Sequence, residues 1–78
     1  MRIKQRWLLI TFDSTTAAMA AERFLQHAGL PGRLIPVPRE ITAGCGLAWK
    51  ASPLDANLLA CALEDAAIPY ARMTELDL

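Results

Sequence analysis

Residues 6–12, RWLLITF, are apolar at nearly every position and rich in strand formers. Apolar residues on both alternating faces predict a central strand, covered on at least one side. DSTT follows, and Ser14, or Asp13 beside it, can start a helix by accepting a bond from an early backbone N–H. The helix predicted over TTAAMAAERFLQHAG has Ala17, Ala21, Phe24, Leu25 and Ala28 as its apolar stripe. Glu22, Arg23, Gln26 and His27 face outward. Gly29 suits the position just past the helix end, where positive φ is needed.

GRLIPVP is predicted as a short strand that contains Pro36 and closes at Pro38. Proline removes a ladder donor, so this strand belongs at a sheet edge. GLAWKAS is a further strand with Leu47 and Trp49 on one face. Ser52 is then expected to cap a second helix, PLDANLLACALEDAA, with Pro53 at its first position. Leu54, Leu58, Cys61, Ala62 and Asp65 fall on adjoining rows of that helix. IPYARMTEL ends the series as a strand beginning with Pro69, again an edge feature.

The order is strand, helix, strand, strand, helix, strand. It matches an α+β, ferredoxin-like βαββαβ fold, a four-stranded antiparallel sheet with two helices on one face. In that arrangement the first and third strands are central and the second and fourth are edges, where the prolines fall. The halves echo each other: AGLPGRL follows the first helix and AAIPYARM the second.

With 78 residues the chain is expected to form a single ferredoxin-like domain, residues 1–78. A hydrophobic fraction of 54% is high for so short a chain, and self-association into a homo-oligomer is expected. Eight basic residues balance eight acidic ones, so the excess of positive charge that marks nucleic-acid binding is missing. The apolar run from Trp7 to Phe12 is shorter than the ~7–15 residues of a signal-peptide core and far below the ~20 of a membrane span. These features lead us to expect a cytoplasmic protein that uses no membrane.

Two cysteines, Cys45 and Cys61, make neither a disulfide scaffold nor a four-ligand zinc site. In a reducing compartment both remain thiols. Cys61, among Leu and Ala on a helix, is expected to be a small buried hydrophobe. Cys45 stands between Gly44 and Gly46 in a loop, and two readings apply to it. It can be a half-hydrophobic loop residue, or a reactive thiol. The predicted topology brings FDSTT beside PREITAGCG, and so Cys45 near the first turn of the first helix. Backbone N–H groups there carry about half a positive charge, which favours a thiolate. Arg39 would reinforce that effect, whereas Asp13 and Glu40 would oppose it. Ser14, Thr15 and Thr16 are the other candidate contacts at this site, besides serving as caps, and Gly44 and Gly46 can aim amides inward.

Enzyme chemistry is not favoured. His27 lies at the far end of the first helix from Ser14, so neither Ser-His-Asp nor Cys-His catalysis is in view. GCG lacks the spacing of a phosphate loop. No metal or cofactor is expected.

The strand ending at Phe12 and followed by STT, then AGLPGRLIPVPREI, then CGLA resemble a family of short bacterial proteins described as selenium/sulfur carrier protein-like. The resemblance covers roughly residues 8 to 50. It implies that Cys45 holds sulfur or selenium as a persulfide or perselenide, and that Gly46 and Pro38 to Glu40 shape its site. A donor enzyme and an acceptor protein would be its partners. The chain lacks the Cys-Pro motif of the better-known small sulfur-relay carriers. The alternative reading is a non-catalytic small-ligand-binding or protein-interaction module. A third, redox sensing through Cys45, lacks a resolving thiol within reach.

Overall fold

The computed structural model describes residues 4–41 and 44–78. Along the chain run β1 (Arg6–Thr11), α1 (Thr15–His27), β2 (Arg33–Pro36), β3 (Leu47–Ala51), a 3-10 turn (Pro53–Asp55), α2 (Ala56–Asp65) and β4 (Arg72–Asp77). The strands form one sheet in the order β2-β3-β1-β4, with every neighbouring pair antiparallel. The architecture is α+β. Pro36 ends β2, an edge strand, where a missing donor is tolerated.

Register sorts the strand residues between the two faces. Ile10 lies opposite Trp49 on β3 and Met73 on β4, and Trp49 lies opposite Leu34 on β2. Leu8, Ile10, Phe12, Trp49 and Ala51 join Ala17, Ala18, Ala21 and Leu25 of α1 and Leu59 and Leu63 of α2 in one buried cluster. The opposite face is covered too at its centre, since Leu9, Thr11 and Ala48 are buried. Glu40 shares a cavity with Lys4, Asp77 and Leu78, at the end where β1 begins and β4 finishes.

Trp49 is the largest buried side chain, and its indole N–H donates to the Pro31 carbonyl at 3.0 Å. The bond ties the α1–β2 connection to the centre of the sheet. Gly32, next in the chain, has φ +115°. A Cβ there would strike the Trp49 ring and come within 2.6 Å of the Lys50 carbonyl oxygen. Only glycine meets both the backbone angle and the space.

Both helices leave the same way. Gly29 donates to Gln26 and Leu30 to Leu25; Ala67 donates to Glu64 and Ile68 to Leu63. These are paired Schellman bonds, with Gly29 at φ 69° and Ala67 at φ 56° as the left-handed residues. Leu30 and Ile68 each turn back onto the core, and a proline follows each. The echo between AGLPGRL and AAIPYARM is this shared exit.

Several local expectations are corrected. The second helix does not run from Pro53 as one α-helix. Ser52 accepts from the Leu54 amide at 3.3 Å, a 3-10 turn follows, and α2 begins at Ala56. The chain offers leucines on two helical faces, Leu54/Leu58 and Leu59/Leu63. Packing selects the second pair, leaving Leu54 94% exposed and Leu58 49% exposed. Cys61 shares the outward side and is exposed, not buried. Asp65 is exposed as well, and Ala62 alone of the expected row packs against the core. On α1, Ala18 is buried and Ala28 exposed, a slight rotation of the expected stripe. β4 begins at Arg72, so Pro69 lies in the connection before it and not in the strand.

These exits and the Trp49 contact carry opposite predictions for substitutions to or from glycine. In urea denaturation, Gly32→Ala is expected to cost about 2–3 kcal/mol, through strain and overlap together. Gly29→Ala, with open space around it, is expected to cost about 1 kcal/mol from the left-handed angle alone. Ala67→Gly, which relieves that same angle, is expected to leave stability unchanged or raised.

Candidate functional site

The site is built where β1 ends and β3 begins. Ser14 takes an extended conformation and caps α1, its Oγ accepting from the Ala17 amide at 3.1 Å. Thr15 and Thr16 occupy the exposed first turn. Among the described residues their amides have no protein acceptor.

Gly44 lies against this turn. A Cβ at Gly44 would sit 3.2 Å from the Asp13 carbonyl oxygen, tighter than ordinary contact. Gly46 has φ +77° and open space around it, so its need for glycine is conformational. Its carbonyl accepts from the Val37 amide at 2.9 Å, which extends the β2–β3 pairing by one more bond. Cys45 is thus held between a glycine pressed on Asp13 and a glycine that turns the chain into β3.

The thiol of Cys45 is half-buried and packs against the core cluster, which includes Phe12 and Ala17. Its Sγ donates to the Leu47 carbonyl at 3.6 Å, within the reach of a weak sulfur hydrogen bond. One side of the sulfur is therefore fixed by apolar packing, and the residue keeps partial access to solvent.

Of the residues expected to gather here, Gly44 lies against Asp13, which precedes the Ser14 cap and the Thr15–Thr16 turn, and Cys45 and Gly46 follow Gly44 in the chain. Arg39 is exposed and, among the described residues, makes no hydrogen bond or ion pair. Pro38 accepts from the Ile41 amide at 3.1 Å, which closes a turn through Arg39 and Glu40. Glu40 lies elsewhere, in a cavity shared with Lys4 and Leu78 at the far end of β1. The segment PREITAGCG does not lie beside FDSTT as a whole; its Gly44 end does. Residues 42 and 43, which link the two parts, are outside the described residues. The position of Glu40 has no sequence signal, because a connection of ten residues allows either course.

A family model described as "Putative Se/S carrier protein-like" matches residues 8–75. The chain belongs to this family. The match takes in β1 through most of β4, and so extends past the segment whose motifs carry the resemblance. No curated protein and no solved structure matches the chain. The family description refers to a carrier of selenium or sulfur, and the thiols of Cys45 and Cys61 are the two groups of suitable chemistry that this member offers. They differ in setting: Cys61 is exposed on the outer side of α2, whereas Cys45 is half-buried in a shaped loop. Among the described residues, no three His, Cys, Asp or Glu side chains group as metal ligands would, and no helix is long and apolar enough to cross a membrane.

The two glycines beside Cys45 are expected to fail for different reasons. Gly46→Ala should cost about 1 kcal/mol from its backbone angle, while Gly46→Asn, which tolerates that angle better, should cost less. Gly44→Ala should instead displace the loop from Asp13. The expected readout is a change in the Cys45 alkylation rate in Gly44→Ala larger than any change at Cys61.

Proposed function

We propose that the protein is a sulfur or selenium carrier that holds a persulfide or perselenide on Cys45. The observation that carries this reading is the setting of Cys45 in a family member: a half-buried thiol between two glycines, one against the turn that starts α1 and one bending into β3. We read the surrounding fold as a single ferredoxin-like domain, residues 1–78. The strand order β2-β3-β1-β4 supports that reading.

Loading is a thiol exchange. The Cys45 thiolate attacks the outer, sulfane sulfur of a donor persulfide, R–S–SH. Its lone pair forms the new S–S bond, the donor S–S bond breaks, and the donor leaves as the thiolate R–S⁻. The product is Cys45–S–SH, with no net oxidation. A donor R–S–Se⁻ reacts in the same way and gives Cys45–S–Se⁻. Unloading reverses the roles: an acceptor thiolate takes the outer atom and Cys45 leaves as thiolate. The chain therefore needs no cofactor and no general base, and it acts as a carrier between partners, a donor enzyme and an acceptor protein.

The first-turn amides of Thr15 and Thr16 are the groups that would stabilise the outer anionic atom, by the positive end of α1. Arg39 would add its charge if the Pro38–Ile41 turn swings toward the loop when a partner docks. A cytoplasmic setting, in which thiols stay reduced, fits this use.

Intact mass spectrometry after incubation with a persulfide donor tests the reading. Wild type and Cys61→Ser are expected to gain one sulfur atom that dithiothreitol removes, and Cys45→Ser is expected to gain none. No gain in any form, or equal gain at both cysteines, would overturn the assignment and leave Cys45 as a loop residue of a binding module. Alkylation kinetics give a second reading of the same site. Exposure alone makes Cys61 the faster thiol, so a faster rate at Cys45 near neutral pH is the expected mark of activation by its surroundings.

A further inference from the structure

A second site lies at the opposite end of the sheet from Cys45. Arg33 on β2 and Lys50 on β3 are direct cross-strand partners on the same face. Like charges so placed repel each other and weaken a sheet. Among the described residues neither makes an ion pair; the ion pairs there are those of Arg6 with Glu75 and Asp77. Lys50 has turned its Nζ over the ring of Trp7, 4.1 Å from the centroid, in a cation–π contact. A cavity of about 370 Å³ opens at this point, lined by Trp7, Gly32, Arg33, Lys50, Ser52 and Asp55 among others.

We propose that this cavity binds a small organic anion carrying a planar apolar body, of the aryl phosphate or aryl carboxylate class. Arg33 supplies a planar fork of donors for the anionic group, and Lys50 a second positive charge. Trp7 supplies the apolar surface for the body. The Ser52 hydroxyl accepts from the Leu54 amide, which leaves its own proton free to donate. Asp55 is the acid in the lining, so the lining carries two positive charges against one negative and favours a singly or doubly charged ligand over a polyanion. The volume is near the lower bound for small-molecule pockets, which also limits ligand size. The Gly32 wall is set before binding, because the Trp49 bond to Pro31 fixes it from beneath. An anion placed between Arg33 and Lys50 removes their repulsion, so the site is relieved by its ligand.

Calorimetric titration of the full chain with phenyl phosphate tests the proposal, beside inorganic phosphate and the neutral benzyl alcohol. Saturable binding of phenyl phosphate is expected, tighter than that of inorganic phosphate and weakened by added salt. Arg33→Gln and Lys50→Met are each expected to weaken it about tenfold, the usual scale for losing one charge-assisted bond. Arg72→Gln, an exposed cation at the other end of the sheet, is expected to leave it unchanged. Absence of saturable binding, equal affinity for inorganic phosphate or benzyl alcohol, or wild-type affinity in both Arg33→Gln and Lys50→Met would overturn the proposal. Thermal melts of each variant without ligand confirm that the comparison is made between folded proteins.

Discussion

The structure depends on Trp49 being both fully buried and hydrogen-bonded. Its ring fills the space between the sheet and the helices, and burial of a side chain this size contributes roughly 4–6 kcal/mol of transfer free energy. A buried indole N–H needs an acceptor, and the Pro31 carbonyl provides it. That requirement draws the α1–β2 connection under the sheet and leaves no space for a side chain at Gly32. The position of β2 follows, since Leu34 must sit opposite Trp49. One side chain therefore links the core, the edge strand and the wall of the cavity beside Arg33 and Lys50.

The two ends of the sheet present different groups. At the Cys45 end the chain is shaped by glycines: Gly44 for closeness to Asp13, Gly46 for a left-handed turn into β3. The thiol between them is shielded on the core side, and Gly44 before it lies against Asp13, next to the first turn of α1. At the other end charge is concentrated on one face, with Arg33 and Lys50 side by side and an aromatic ring next to them. The sheet separates these features by the length of a strand, so a change at one end leaves the groups at the other in place.

Much of the fold was legible because its signals are local. Alternation and apolar runs mark β1 and β3, Ser14 marks the start of α1, and Gly29 its end. Prolines flag Pro36 as an edge residue without any long-range information. The positions that misled are those where two local readings compete. Leu54/Leu58 and Leu59/Leu63 are equally apolar pairs about 100° apart around the helix, and periodicity cannot rank them. Cys61 followed the wrong pair outward. From the sequence Pro69 is expected to begin a strand, as an edge feature, yet Ile68-Pro69, like Leu30-Pro31, belongs to a helix exit.

The candidate site was legible as a residue and a neighbourhood, and less so as a set. Cys45 stands out by its glycines, and its approach to α1 follows from strand order alone. Whether Arg39 and Glu40 accompany it depends on the course of the loop, and Glu40 shares a cavity with Lys4, Asp77 and Leu78 instead. By itself the sequence determined the α+β class, the order of elements, the capping residues and the thiol at Cys45, because each rests on spacing within a few residues. Only the tertiary structure decided which face of α2 is buried, where Glu40 lies, and that Arg33, Lys50 and Trp7 meet. Those outcomes rest on contacts between residues far apart in the chain, and their energies depend on the shape that the rest of the core presents.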